Sequence, residues 1–180
     1  RYFTKEVATC LYTGIIHDTG VFKYNSTTAH TMEIAGKCMA MGIPFSSIID
    51  DSFYMKTMAE QKITGRVLLD GELYMGGRIL ASSLSLKDMQ SYGADQKDVD
   101  GIVSLLRETK GVEGVVFLYE VGSNTYKVSL RSNNTALDVS KVAAHFGGGG
   151  HKMAAGCSLK GNVQSILTKL CSELGKQLDA

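Results

Sequence analysis

A run of glycines followed by a histidine and a lysine is the feature of this sequence that most strongly indicates chemistry. The run consists of Gly147, Gly148, Gly149 and Gly150, followed by His151 and Lys152. A helix needs only one glycine for its left-handed C-terminal cap, and each further glycine costs about 0.5–1 kcal/mol of chain entropy relative to alanine. Such a run is typical of a backbone that approaches a ligand closely, where successive N–H groups bind an anion. His151 could reach the same anion, and a flexible turn without any ligand is the alternative.

Arg131 lies in a stretch where apolar and polar residues alternate, which places Lys127, Ser129 and Arg131 on one face of a strand. An arginine beside a glycine-rich turn suits a phosphate, because a guanidinium binds phosphate through two parallel hydrogen bonds. Ser132 follows directly in the sequence, and Arg78 after two glycines is a second candidate of the same kind. Solvent-exposed strand faces are the alternative for both arginines.

Asp18 is a candidate metal ligand. Its spacing from Leu11 and Ile15 predicts a position near the apolar side of the first helix, at its C-terminal end. The helix dipole disfavours a negative charge there, so a half-buried carboxylate would need a cation, either a metal ion or an arginine. The alternative is that Asp18 only caps the turn that continues through Gly20. His17 beside it is a candidate ligand or an ordinary surface histidine.

These candidates are positioned by a helical part and a mixed part. Helices are predicted from Lys5 to about Ile16, from an N-cap at Thr28 to Gly42, and over 46–58. The predicted inward-facing residues of the first two helices are Val7, Leu11, Ile15, Met32, Ala35 and Met39.

The remaining sequence changes to mixed helix and strand periodicity. Two strands over 62–70 and 72–83 are predicted to form a hairpin at Asp70-Gly71, and a second hairpin is predicted over 113–131. Helices are predicted over 98–109, from an Asp138 cap to Phe146, and over 162–178, with a strand over 153–159. The sequence therefore predicts an α/β fold with domains over 1–57 and 58–180.

Composition excludes several classes of protein. The 180 residues are 44% hydrophobic and 21% charged with a net charge of +1, which is typical of a globular chain without a strongly basic surface. No apolar run is long enough to span a bilayer, so no membrane partner is expected. The four cysteines lie far apart, which favours reduced thiols and a cytoplasmic location.

Two stretches of the sequence resemble motifs of one known family. Residues 14–24 with 26–28 look like the last metal-binding motif of the DHH phosphoesterases. Residues 129–132, 142–145 and the glycine–histidine block with 154–156 resemble the DHH-associated substrate-binding domain. The resemblance implies the C-terminal, helical part of a DHH domain over 1–57, followed by a mixed-sheet DHH-associated domain over 58–180. The Asp-His-His triplet of the family is not in the chain, and we expect it upstream of residue 1.

The resemblance also implies an activity and a set of site residues. It implies a two-metal manganese or magnesium centre, with Asp18 as one ligand and most other ligands upstream of residue 1. Asp18 and His151 would be catalytic, and a substrate phosphate would be bound by a set of residues made up of Arg78, Arg131, Ser132, Gly147, Gly148, Gly149, Gly150 and His151. The implied substrates are short oligoribonucleotides and 3'-phosphoadenosine 5'-phosphate, and we expect residues 1–180 alone to be inactive.

Two other functions remain open at this point. Within the family, the chain could belong to a phosphodiesterase of cyclic or linear dinucleotides. From a different class, it could be a nucleotide-binding module without catalysis. A homodimer is also left open.

Overall fold

A computed structural model describes residues 3–178, and the chain divides into two compact units between Lys56 and Thr57. The sequence places the division after residue 57. The assignment of the first unit to the end of a DHH domain stays a prediction.

The first unit is helical. It contains α1 (Lys5–Thr19), α2 (Ala29–Ala40) and α3 (Phe45–Ile49), followed by a π-helical segment over Asp50–Tyr54. Thr28 caps α2 as predicted, since its hydroxyl accepts the N–H of Thr31 in a reciprocal capping box. The single helix predicted over 46–58 is wrong, because the chain leaves helical geometry at Met55 and begins a new helix after Thr57.

The core of the first unit confirms Ala35 as buried and Ile15 as packed against it, whereas the other four residues predicted to face inward are exposed. The buried residues are Ala8, Tyr12, Ile16, Ala35, Cys38 and Ile43. Val7 and Leu11 are 41% and 47% exposed, and Met32 and Met39 are exposed as well. Apolar residues form two adjacent stripes along α1. The stripe that packs inward contains Tyr12 and Ile16, and it begins one position after the stripe of Val7 and Leu11.

The second unit begins with α4 (Met58–Leu69), where the sequence predicted a strand. The remaining elements, in chain order, are β1 (Glu72–Tyr74), β2 (Ile79–Leu84), α5 (Leu86–Ser91), α6 (Ile102–Arg107), β3 (Gly114–Gly122), β4 (Thr125–Ser132), α7 (Val139–His145), β5 (Gly149–His151), β6 (Ala154–Lys160) and α8 (Val163–Leu178). Short 3₁₀ turns occupy Met75–Gly77 and Gln96–Val99. The β3–β4 hairpin, the Asp138 cap, and α7, β6 and α8 confirm the sequence predictions, whereas α5 and β5 were missed.

The strands of the second unit form one six-stranded sheet in the order β1-β2-β3-β4-β6-β5. Only β2 and β3 run parallel, and every other neighbouring pair is antiparallel. The mixed sheet with its helices confirms the predicted α/β fold.

The two faces of this sheet are covered differently. On one face, Val116, Val128 and Leu130 pack with α7 and α8 in a continuous core. On the other face, Val115 and Phe117 pack with α4, α5 and α6, and this core includes no buried residue of β4, β6 or β5. The helices of the second face therefore cover one half of the sheet and leave the other half accessible.

Within residues 3–178, no helix combines the length and the apolar character needed to cross a bilayer. The four cysteines are free thiols.

Candidate functional site

The accessible half of the second sheet face, here called the open face, consists of the outward residues of three neighbouring strands. They are Lys127, Ser129 and Arg131 of β4, Ala154, Gly156 and Ser158 of β6, and Gly149 and His151 of β5. Side chains of directly paired residues project from the same face of a sheet. The burial of β4 agrees, since its outward residues are exposed or half-buried while Tyr126, Val128 and Leu130 are buried.

The strand register places Arg131 and His151 in one row across the open face. Arg131 pairs with Ala154, and Ala154 pairs with His151 on its other side. Since neighbouring strands lie about 4.8 Å apart, the two Cα atoms are about 10 Å apart. Both side chains are long, so they can reach neighbouring phosphate groups of one ligand above the small Ala154. The structure thus brings together two residues that lie twenty positions apart in the sequence.

A cavity of about 440 Å³ opens along the next rows of this face. Its lining includes Tyr119, Lys127, Ser129, Gly148 and Gly156. Cavities of about 300–1,000 Å³ are typical of small-molecule sites. Its walls offer a hydroxyl, an ammonium group and an aromatic ring, which suit the phosphate, sugar and base of a nucleotide.

Sequence reasoning did not identify Tyr119 as a site residue. It pairs with Lys127 across the hairpin, so its ring projects from the same face. The predicted hairpin contained this signal, because alternation from Phe117 places Tyr119 on the face of Lys127 and Ser129.

The first two glycines of the run end α7 and do not form the predicted anion-binding nest. Gly147 has a φ of +75°, the left-handed value expected of a helix cap. The N–H groups of Gly147 and Gly148 donate to the carbonyls of Ala144 and Ala143 at 3.0 and 2.8 Å. These donors are therefore engaged within the fold, which corrects the prediction that both bind a phosphate.

Gly148 and Gly150 are required by the close approach of the run to β6. A Cβ at Gly148 would lie 2.2 Å from the carbonyl oxygen of Gly156, and one at Gly150 would lie 2.5 Å from the Cα of Ala155. A Cβ at Gly149 would meet nothing within 4 Å. The glycines thus permit a tight hairpin that carries His151 at its end, and the space beside Gly147 and Gly149 is open.

Arg131 carries a destabilised positive charge. Its Nη1 donates to the carbonyl of its neighbour Leu130 at 2.9 Å. Burial lowers the pKa of the Arg131 guanidinium, and the positive charge of Arg107 lowers it further. A partly buried cation beside a second cation favours an anion, and a phosphate would relieve both effects.

Two other predicted phosphate ligands serve the fold instead. Ser132 is fully buried on the core side of β4, where its hydroxyl donates to the carbonyl of Asn134 at 2.7 Å. Arg78 binds Glu113, with Nε donating to Oε1 at 2.6 Å, and its Nη1 donates to the carbonyl of Leu178 at 3.3 Å. Neither side chain lies in the row of Arg131 and His151.

Asp18 lies in the last turn of α1 in the first unit, and it is exposed rather than half-buried. The helix continues to Thr19, past the predicted end near Ile16, and Gly20 caps it with a φ of +54°. Val21 and Phe22 also have positive φ values of 54° and 65°. Such values are unfavourable for side chains of this size and mark strained turns that often occur at functional sites.

The donors present do not make a metal centre by themselves. Asp18 offers a carboxylate, which is a hard ligand suited to manganese or magnesium. However, no group of three or more His, Cys, Asp or Glu residues among those described could hold a metal ion. A two-metal centre would therefore need further ligands from outside residues 3–178.

Comparison with known proteins gives one matching family model and several relatives. The model, described as the DHHA1 domain, matches residues 75–176. A relative named bifunctional oligoribonuclease and PAP phosphatase NrnA, from Thermus thermophilus, is 31% identical over 159 residues, which cover 88% of this chain and 47% of the relative. A protein of the same name from Bacillus subtilis is 27% identical over 175 residues, 93% of this chain and 54% of its own length.

Among solved structures, an exopolyphosphatase-related protein from Bacteroides fragilis is similar with a TM-score of 0.85 and 26% identity. That match covers 98% of this chain and 53% of the solved one. The chain thus spans about half the length of the curated relatives it matches.

Proposed function

Because this chain belongs to the DHHA1 domain family, we propose that it is the substrate-binding part of a metal-dependent phosphoesterase that hydrolyses short oligoribonucleotides and 3'-phosphoadenosine 5'-phosphate. The resemblance of the sequence to the DHH-associated domain is therefore correct. Two relatives carry both activities in their names, and the proposal transfers them to the longer protein that would contain this chain.

The observation that carries the proposal is the row of Arg131 and His151 on the open face, beside a cavity with Tyr119 and Lys127. In this proposal, Arg131 binds a terminal phosphate, and His151 donates a hydrogen bond to the phosphate that is cleaved. Hydrogen-bond donors of this kind stabilise the negative charge that develops on the phosphoryl oxygens. The cavity holds the adjoining nucleoside.

The short extent of this surface favours a short substrate. A protein that tracks long nucleic acid presents a continuous basic surface, whereas the net charge of this chain is +1. A few local cations next to one cavity are sufficient for a dinucleotide or a mononucleotide bisphosphate.

We also propose that Asp18 is one ligand of a manganese or magnesium centre in the longer protein, with the remaining ligands outside residues 1–180. Its exposure in the last turn of α1 leaves the carboxylate accessible to an ion. We expect Asp18→Asn in the longer protein to weaken metal binding, measured by the Mn²⁺ concentration that gives half-maximal activity.

The proposal is tested by hydrolysis of diadenylate and of 3'-phosphoadenosine 5'-phosphate in the presence of Mn²⁺. We expect the longer protein to hydrolyse both and residues 1–180 to hydrolyse neither. His151→Ala in the longer protein should lower kcat/KM by about 100-fold or more, the usual effect of removing a donor to a developing anion. His145→Ala is the matched control, since this exposed histidine lies on α7 and not on the open face.

Two outcomes would contradict the proposal. One is efficient cleavage of either substrate by residues 1–180. The other is a His151→Ala variant that unfolds at a lower temperature but keeps the specific activity of the wild type.

One observation favours a second function for residues 1–180 taken alone. Lys127, Arg131 and His151 lie on the open face, and the described residues contain no group of three or more His, Cys, Asp or Glu that could hold a metal ion. A nucleotide-binding module is therefore the function expected of this chain without the rest of its metal centre.

A further inference from the structure

A second arginine, Arg107, lies at the end of the open face that Arg131 occupies. It is the last residue of α6, which packs on β3 and β4. Its positive charge acts on Arg131, and its own side chain is half-buried. Arg107 comes 24 positions before Arg131 in the sequence, and no motif there marks it as a ligand.

The fold fixes the position of Arg107 relative to Arg131. Asn133, two residues after Arg131, donates its side-chain amide to the carbonyl of Arg107 at 2.6 Å and to the carbonyl of Val112 at 3.2 Å. This amide joins the end of α6 to the end of β4. The proximity of the two arginines is therefore a property of the backbone and not of one side-chain conformation.

Neither arginine has an acidic partner within residues 3–178. The other two arginines within residues 3–178 are paired, Arg66 with Asp70 at 2.7 Å and Arg78 with Glu113 at 2.6 Å. No ion pair involves Arg107 or Arg131 in that part of the chain. Two neighbouring cations that share no carboxylate repel each other, and partial burial strengthens the repulsion.

We propose that Arg107 is a second phosphate-binding residue that acts together with Arg131. The two guanidinium groups hold the terminal phosphate of a nucleotide from two sides, Arg107 from the end of α6 and Arg131 from β4. The anion compensates the repulsion between them, and the nucleoside extends toward the cavity beside Tyr119. The nature of the ligand rests on the proposed function, whereas the anion site itself rests on the two arginines.

A structural role for Arg107 is the competing explanation. A cation in the last turn of a helix is stabilised by the helix dipole, by about 0.3–1 kcal/mol. That role requires only a positive charge and predicts no contribution to ligand binding. It would be fulfilled equally by lysine, which lacks the planar, bidentate geometry of arginine.

The test measures the affinity of residues 1–180 for adenosine 5'-monophosphate and for adenosine by isothermal titration calorimetry. We expect Arg107→Gln and Arg131→Gln each to weaken the binding of the monophosphate by about tenfold or more, the value of a lost charge-assisted contact. Neither should change the weaker binding of adenosine. Arg107→Lys should retain thermal stability and lose part of the affinity. Arg66→Gln on α4 is the matched control, with unchanged affinity.

Several results would overturn the proposal. These are an Arg107→Gln variant that keeps its affinity for the monophosphate, a Lys variant that binds as tightly as the wild type, and a wild-type chain that binds the monophosphate no better than adenosine. If the longer protein fails to hydrolyse short RNA while both arginine variants lose affinity, only the proposed function fails, and the two-arginine site stands.

Discussion

Strand β4 and helix α1 each have an amphipathic pattern and a candidate functional residue. The two elements differ in whether the residues predicted to be buried are buried in the structure. In β4 the apolar residues face the core and Arg131 faces outward, as the alternation predicts. In α1 the predicted inward stripe of Val7 and Leu11 faces outward, together with Asp18.

The difference follows from geometry and composition. A strand has only two faces, so a single alternation decides which residues are buried. A helix can turn any part of its circumference inward, and α1 carries two adjacent apolar stripes, with Ala8, Tyr12 and Ile16 in the second. Local sequence therefore determines the buried side of β4, whereas the buried side of α1 also depends on tertiary packing.

Two leucine substitutions would test this comparison with the largest expected effect. Leu130 is fully buried in the sheet core, whereas Leu11 is 47% exposed on α1. We expect Leu130→Ala to lower the free energy of unfolding by about 3 kcal/mol, through lost burial and an unfilled cavity. Leu11→Ala should lower it by about 0.5 kcal/mol or less, measured by urea denaturation. Similar losses for both variants would contradict the burial described for α1.

The glycine run provides a second, smaller contrast. Gly148→Ala would force a methyl group against the Gly156 carbonyl, whereas at Gly149 the same methyl group meets open space. We expect the first variant to lose about 2 kcal/mol of stability through overpacking and the second to remain within about 0.5 kcal/mol of the wild type. Thermal unfolding of both proteins measures the difference. If Gly149→Ala were the more damaging, the hairpin would not have the described contacts.

Acid stability should show the smallest effect. Hydrogen bonds from Arg78 and then from Asn134 lower the pKa of Glu113 below its ordinary value of 4.5. A lowered folded-state pKa gives stability that is present above about pH 4.5 and is lost as the pH falls through the lowered value. Glu113→Gln should therefore show a shallower loss of stability between pH 5.5 and 3.5 in urea titrations. Arg78→Gln should likewise make the loss of stability with falling pH shallower. If the pH dependence of stability is unchanged in both variants, the Arg78–Glu113 ion pair does not contribute to it.

Much of the second unit follows from local signals in the sequence. Asp138 caps the start of α7, and Gly147 follows the end of this helix. The turn through Asn124 defines the β3–β4 hairpin. A strand was predicted before the Asp70-Gly71 turn signal, where the structure has the end of α4. The buried residues Ile63 and Val67 are four positions apart, which is the spacing of a helix face. The Thr57 capping box was the available evidence for a helix there.

The candidate site was predictable only in part. Alternation places Arg131 outward, but its alignment with His151 depends on the pairing of β4 with β6 and of β6 with β5. Register between strands that are distant in sequence is set by tertiary packing, and local sequence does not encode it. The same holds for Arg107, which reaches the site only because α6 packs on β4. The glycine run was predicted to bind a ligand, whereas Gly148 and Gly150 are required because the backbone passes close to β6.

The proposed function requires the open face to bind the phosphate end of a nucleotide. Amide chemical-shift changes in residues 1–180 on titration with adenosine 5'-monophosphate test it most directly. We expect the largest changes at Arg131, Ala154 and His151, with smaller ones at Lys127, and the loss of these changes in Arg131→Gln. Changes centred instead on the α7–α8 surface around His145 and Lys169, with the open face unaffected, would contradict the account.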